Sequence, residues 1–113
     1  MTRSEDIPAS HELEHAAAVL RVLADRTRLS ILLLLDGREL TVTEIADQLG
    51  RSMPATSQHL AKLRVHKLVS WRREGTTIYY SQPDEHVAAL VTNILQHSEH
   101  SLYLEPPHHQ KST

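Results

Sequence analysis

The sequence predicts a single, mainly α-helical domain with one small β-hairpin. Three observations carry this prediction. Apolar residues recur every three or four positions through most of the 113-residue chain, as they do on one face of a helix. Glycine and N-capping residues divide that pattern into short segments. Only the stretch 69–81 changes to a period of two, with a turn at its centre, which indicates two paired strands.

The first two helices are predicted from their apolar spacing and from the residue between them. The first helix runs from about Ser10 to Ala24, with leucine and alanine repeated at helical intervals. Asp25 is a suitable N-cap because its carboxylate can accept a hydrogen bond from a free backbone N–H. This cap predicts a second helix at about 26–35, and Asp36-Gly37 is expected to end that helix.

Two further helices follow, joined by a tight turn that contains Gly50. Thr41 or Thr43 can cap the first of this pair. Ser52 can cap the second, which runs to about His66 and accepts a proline in its first turn. Two helices joined in this way form a helix-turn-helix.

A basic hairpin and a last helix complete the prediction. The hairpin occupies about 69–81 and turns at Glu74-Gly75. Pro83 separates it from a last helix at about 84–100. A helix-turn-helix followed by a basic hairpin is a winged helix-turn-helix. The expected fold is therefore mainly α, with the hairpin as the wing.

The composition excludes several classes of protein. The chain has no cysteine, which excludes disulfides, thiolate zinc sites and thiol catalysis. Its apolar runs are too short for a transmembrane helix and its polar start differs from a signal peptide, so a cytoplasmic location is expected. Residues 10–102 are expected to form the domain, between a flexible lead at 1–9 and a flexible, histidine-containing tail at 103–113.

A net charge of −2 hides a basic middle segment. Residues 51–75 contain six basic residues and one acid, a net charge of +5, between acidic flanks. Such a segment predicts nucleic-acid binding, with solvated surface charge as the alternative. Polar side chains on the second helix of the pair suit a major groove, and basic ones suit phosphates. The candidate DNA-binding residues are Ser52, Thr56, Ser57, Gln58, His59, Lys62, Arg64, Arg72 and Arg73.

Two stretches resemble the ArsR/SmtB family of winged-helix metal-sensing repressors. They are "VLRVLADRTRLSILLLL" and "LTVTEIADQLGRSMPATSQHLAKLRVHKLVSWRREGTTIYY", and the likeness spans roughly residues 12–100. The resemblance implies a homodimer that forms through the first and last helices. It also implies binding to double-stranded operator DNA, expected to be an inverted repeat, in the absence of metal. The class of the family that binds metal through cysteines is excluded here, because the chain has none.

The last helix carries a candidate metal site that one chain cannot complete. His86, His97 and His100 share a stripe about 60° wide, beside the apolar seam of the helix. His86 and His97 are separated by roughly 16 Å along the axis, whereas zinc–nitrogen bonds are about 2 Å long. Two antiparallel copies can bring Asp84 and His86 of one chain to His97 and His100 of the other. A symmetric dimer would then hold two equivalent sites.

The resemblance supports these four ligands, since their spacing matches the C-terminal-helix site of the family's zinc and cobalt sensors. Three imidazole nitrogens and one carboxylate oxygen suit tetrahedral Zn²⁺, so release from DNA by zinc is the leading interpretation. His108 and His109 keep a nickel or cobalt sensor open, because some family members recruit ligands from the chain ends. A metal-independent winged-helix regulator is the alternative from a different class.

The stretch "HELEH" matches the H-E-x-x-H motif of zinc peptidases through His11, Glu12 and His15. A peptidase also needs a third protein ligand and a substrate cleft, and neither is found nearby in the sequence. The chain is therefore predicted not to be an enzyme. An auxiliary metal role for His11 or His15 is left as an alternative.

Overall fold

The computed structural model describes Ile7 and residues 9–103, so the predicted tail beyond Tyr103 and most of the predicted lead lie outside it, and Tyr103 itself belongs to the last helix. Within that part the chain forms five helices and three short strands, and no helix in it is long and apolar enough to cross a membrane. In chain order the elements are α1 (Ser10–Leu23), α2 (Arg26–Leu34), β1 (Leu40–Thr41), α3 (Val42–Leu49), α4 (Met53–Val65), β2 (Ser70–Glu74), β3 (Thr77–Ser81) and α5 (Glu85–Tyr103).

Side-chain caps start three of the helices, as the sequence predicts. The Asp25 carboxylate accepts a hydrogen bond from the backbone N–H of Arg28 at 2.9 Å, which begins α2. Of the two threonines considered for α3, Thr41 is the cap, and the Glu44 side chain accepts a 2.8 Å hydrogen bond from the Thr41 backbone N–H in return. The Ser52 hydroxyl accepts from the backbone N–H of Ala55 at 3.2 Å and begins α4.

The turn between α3 and α4 depends on Gly50. Its φ of 65° lies in the left-handed region, where a side chain would strain the backbone. The Gly50 N–H caps the end of α3, and Ser52 begins α4 two residues later. This short connection fixes the angle between the two helices and confirms the predicted helix-turn-helix.

The sheet contains one strand more than the sequence predicts. β2 and β3 form the expected hairpin, with Trp71 opposite Tyr80. β1 then pairs with the other edge of β3 and places Leu40 opposite the same tyrosine, so the strand order is β1-β3-β2. A two-residue strand is too short to produce an alternating pattern, which explains why the sequence did not reveal it.

The core lies where α2, α3 and α4 meet the sheet. Ile31, Ile45 and Leu63 are fully buried there. α5 packs on α2 and buries Val87 and Val91. Several large apolar residues of the two terminal helices remain exposed in a single chain: Leu13, Leu20, Leu90, Leu95, Leu102 and Tyr103. These faces of α1 and α5 match the predicted dimer contacts.

Replacing Asp25 by Ala is expected to lower the free energy of unfolding by about 1 kcal/mol, because α2 loses its N-cap. The backbone N–H of Arg28 is the main reason that the pKa of the Asp25 carboxyl lies below its ordinary value of 3.8. Since the folded-state pKa is lowered, the carboxylate stabilises the fold above pH 3.8 and that contribution is lost as the pH falls through the folded pKa.

The measurement is urea unfolding of the parent and Asp25→Ala proteins at equal protein concentration, at pH 7 and at pH 3. It gives the difference between their free energies of unfolding at each pH. The stability gap should narrow at the lower pH. Asp36→Ala is the matched control, since Asp36 is exposed and lies beyond the end of α2. A gap of the same size at both pH values would contradict the capping role.

Candidate nucleic-acid interface and metal-ligand helix

The surface of α4 carries part of the predicted DNA-binding set. Ser57, Gln58 and Lys62 are exposed on this helix. Thr56 is fully buried, and its hydroxyl donates to the backbone carbonyl of Ser52 at 2.8 Å. The prediction that Thr56 contacts DNA is therefore wrong, because its side chain faces the core and its hydroxyl is already bonded. Ser52 itself uses its hydroxyl oxygen in the cap.

His59 is held by the protein's own residues. Its side chain is 24% exposed, and its Nδ1 lies 3.2 Å from Nη1 of Arg28 on α2. The same nitrogen lies 3.9 Å from the Asp25 carboxylate. His59 is predicted to contact DNA because it is polar and lies in the N-terminal half of the predicted helix. The structure corrects that prediction for Nδ1, which is turned to Arg28.

Arg72 of the wing makes an ion pair at the protein surface. Its Nε and Nη2 each donate to the Glu39 carboxylate at 2.9 Å, and its guanidinium lies over the Tyr79 ring at 4.6 Å. The hydrogen bond from Arg72 lowers the pKa of Glu39, and the bond to Glu39 raises the pKa of Arg72. Glu74 also lies 3.5 Å from Nη1, so carboxylates of the same chain already neutralise much of the Arg72 charge, although the Arg72 side chain is 47% exposed. Arg73 projects from the other face of the strand, since neighbouring strand residues alternate.

A cation–π contact joins α4 to the wing. The Arg64 guanidinium lies 4.2 Å from the centre of the Trp71 ring on β2. At an exposed position such a contact contributes about 0.5–1 kcal/mol. Arg64 is predicted from the sequence to bind phosphate, and Trp71 is predicted only to lie in the strand. The stack leaves the charge of Arg64 at the surface, so phosphate binding stays a prediction.

On α5, Asp84 has a second role as the helix cap. One oxygen, Oδ1, accepts from the backbone N–H groups of His86 and Val87 at 2.9 and 3.1 Å. A carboxylate has two oxygens, so the other is available to a metal ion. The cap also fixes the position of the carboxylate relative to His86, and this pair is one half-site of the predicted metal site.

The other half-site lies near the far end of α5. His97 and His100 are exposed there, and the Nε2 atom of His97 lies 3.5 Å from the Ser101 hydroxyl. Within residues 9–103 and at Ile7, no group of three or more His, Asp or Glu side chains is placed to hold one ion. A single chain therefore does not bring the two half-sites together. His108 and His109 lie outside the described residues.

The "HELEH" histidines lie on α1, away from these half-sites. The His15 ring is 6.2 Å from the ring of His66, measured between centroids. The described part of the chain provides no third ligand beside them. Within the described residues, His11 and His15 therefore lack the third ligand that a zinc peptidase requires.

Comparison with known proteins gives consistent relatives. A family model described as a helix-turn-helix domain matches residues 23–70. The chain is 48% identical over 92 residues to the HTH-type transcriptional regulator KmtR of Mycobacterium tuberculosis, covering 81% of this chain and 71% of that protein. It is 39% identical over 83 residues to the cadmium resistance transcriptional regulatory protein CadC homolog of Staphylococcus aureus, covering 72% and 68%.

A solved structure agrees with the fold. The homodimeric winged helix-turn-helix DNA-binding domain of a possible ArsR-family regulator from Mycobacterium bovis superimposes with a TM-score of 0.79 and 34% identity. The match covers 85% of this chain and 89% of that one. Together these likenesses confirm the predicted winged fold, the homodimer and DNA as the partner.

The ion pair of Arg72 leads to a prediction about salt dependence. Lys62→Ala and Arg73→Ala should each reduce the slope of log affinity against log salt by about 0.9 for every phosphate that the side chain neutralises. Arg72→Ala should reduce it less, because Glu39 already balances its charge. Glu39→Gln is the matched control and should steepen the slope, because it removes the charge of the nearer of the two carboxylates that pair with Arg72.

The measurement is a salt titration of binding to a duplex of arbitrary sequence, since phosphate contacts govern that affinity. Equal reductions for Arg72→Ala and Arg73→Ala would show that the Glu39 pair opens on DNA and leaves Arg72 on the backbone.

Proposed function

Because the chain belongs to the ArsR/SmtB family of winged helix-turn-helix transcriptional regulators, we propose that its homodimer binds operator DNA in the cytoplasm when metal-free and releases it when Zn²⁺ binds between two copies of α5. The family consists of DNA-binding regulators rather than enzymes. The name of one relative, the cadmium resistance regulatory protein CadC homolog, connects regulation with a divalent metal.

One observation carries the metal proposal. α5 exposes Asp84 and His86 at its start and His97 and His100 near its end, and the described residues of one chain hold no complete site. A second, antiparallel α5 would place each start beside the other helix's end. The apolar residues left exposed on the same helix, Leu90 and Leu95, support such a pairing.

The donor set fits Zn²⁺ in type and number. Three imidazole nitrogens and one carboxylate oxygen match a four-coordinate tetrahedral site. Asp84 suits this role because the cap occupies only Oδ1, so binding a metal through the other oxygen does not break the start of α5. Neutral imidazoles are required for ligation, so metal binding releases protons and metal affinity should fall in acid solution.

Metal and DNA are coupled in this proposal through the geometry of the dimer. The two α4 helices must reach successive major grooves, which lie about 34 Å apart. A metal ion that binds both copies of α5 favours the dimer arrangement that fits the ion, and the proposal is that this arrangement misplaces the α4 helices. A coupling of about 1–3 kcal/mol, typical of allosteric pairs, would weaken operator binding by about 5- to 150-fold.

A nickel or cobalt sensor is the second candidate. α5 continues to Tyr103, so the histidines at 108 and 109 follow the metal-ligand helix by only five and six residues. Additional ligands from the tail would complete six-coordination, whereas zinc needs only the four residues of the α5 segment. The two candidates therefore differ in whether the tail histidines matter.

The first test measures operator release across a metal series. The operator is a duplex selected from a random pool by the metal-free dimer, and Zn²⁺, Co²⁺ and Ni²⁺ are added separately. Zinc should weaken binding at least about fivefold. The matched variant His108→Ala/His109→Ala should respond to zinc like the parent.

Loss of the response in that variant, together with a stronger parent response to nickel or cobalt, would favour the second candidate. Binding that is indifferent to all three metals and to chelators would identify a metal-independent regulator.

The second test addresses which chain supplies each ligand. One chain carries Asp84→Ala/His86→Ala and the other carries His97→Ala/His100→Ala. In the mixed dimer, the interchain arrangement gives one site with all four lesions and one intact site. We expect tight binding of one zinc ion per mixed dimer, with both mutant homodimers as controls. Absence of tight binding to the mixed dimer would contradict the shared sites.

A further inference from the structure

Arg28 connects three helices through one side chain. It lies in the first turn of α2, and its Nε donates to the backbone carbonyl of Val22 in the last turn of α1. Its Nη1 lies 3.2 Å from Nδ1 of His59, near the middle of α4. The Arg28 side chain is only 11% exposed, so these contacts form largely away from water.

The contact with α1 fills a gap in the backbone hydrogen bonding. α1 ends at Leu23, so the carbonyl of Val22 has no partner four residues later in the same helix. Arg28 supplies the missing donor. Asp25 in turn holds Arg28, accepting from its backbone N–H at 2.9 Å and lying 3.9 Å from its guanidinium.

The contact with α4 fixes the chemical state of His59. Arginine has only donors, so a hydrogen bond between these groups requires Nδ1 of His59 to act as an acceptor. The tautomer that fits this contact carries its proton on Nε2. The Asp25 carboxylate, 3.9 Å from the same nitrogen, is too far to replace Arg28 as a hydrogen-bond partner.

We propose that Arg28 is a positioning residue, which sets the orientation of α4 relative to the end of α1 through its hydrogen bond to His59. α1 exposes Leu13 and Leu20 on a face that matches the dimer contact, and α4 carries the exposed polar residues for DNA. The Arg28–His59 bond thus links the helix at the dimer interface to the helix that reads the operator. This inference rests on the DNA-binding role of α4 and is independent of the metal.

Two substitutions of His59 separate positioning from direct DNA contact. His59→Asn keeps an oxygen close to the position of Nδ1 and can still accept from Arg28, whereas His59→Leu keeps the size and removes the acceptor. In metal-free protein, His59→Leu should weaken binding to the selected operator about tenfold, because Arg28 loses a charge-assisted bond that orients α4. His59→Asn should stay within about threefold of the parent.

Two further readouts identify the mechanism. The salt slope should be unchanged in both His59 variants, since an imidazole held by Arg28 neutralises no phosphate. Affinity for a duplex of arbitrary sequence should also stay within about twofold of the parent, which checks that the fold and the dimer are intact. In an Arg28→Met background, His59→Leu should have no further effect on operator affinity, because the partner is already absent.

Several results would overturn the proposal. A salt slope lower by about 0.9 in His59→Leu would place His59 on a phosphate. Operator binding by His59→Asn as weak as that by His59→Leu, or parent-like binding by both, would show that the acceptor is not what matters. If Arg28→Met does not fold, the two His59 variants decide the question alone. Because metal is absent throughout, failure of the zinc response in the parent leaves this test intact.

Discussion

α5 leaves apolar side chains exposed in one chain and, in the proposed function, needs a second chain to complete its metal ligands, and the proposed assembly and metal response depend on this constraint. The helix buries Val87 and Val91 against α2 but leaves Leu90 and Leu95 exposed. Its two half-sites lie at opposite ends of a 19-residue helix. A second copy of α5 packed against the first would cover the exposed leucines and would also supply the other proposed ligands. Binding of an ion between the two copies of α5 would depend on how the two protomers are placed relative to each other. That placement also sets the distance between the two α4 helices.

Residues proposed to act in function are held by ordinary main-chain capping. Asp84 begins α5 and offers its second oxygen as a ligand, and Asp25 begins α2 and holds Arg28 beside His59. Such residues need little additional ordering when the site forms, since the folded helix already fixes them. Basic side chains that also make contacts within the protein contribute less positive charge to DNA binding. Arg64 and Arg72 help to hold the wing in place, so the charge of +5 in residues 51–75 exceeds the charge that is free for phosphates.

The features predictable from the sequence are the local ones. Caps at Asp25 and Ser52 and the turn at Gly50 follow from residue type and spacing over three or four positions. The pairs that the sequence missed join distant residues: Arg28 and His59 are 31 positions apart, and Glu39 and Arg72 are 33 apart. Nothing in the neighbourhood of either partner indicates such a contact, because only the packing of the helices and the sheet brings them together. Thr56 shows a different limit. It precedes the buried Leu60 and Leu63 by four and seven residues, so the helical spacing indicates the core, whereas its polar side chain suggests DNA.

Metal and operator compete, in the proposed function, through the geometry of the dimer. The most direct test is the zinc affinity of the free dimer and of the same dimer saturated with operator duplex, each measured by competition with a chromophoric chelator. Coupling between two ligands is reciprocal. We therefore predict that operator weakens zinc binding at least about fivefold, by the same factor by which zinc weakens operator binding. Equal zinc affinity in the two states would contradict this competition.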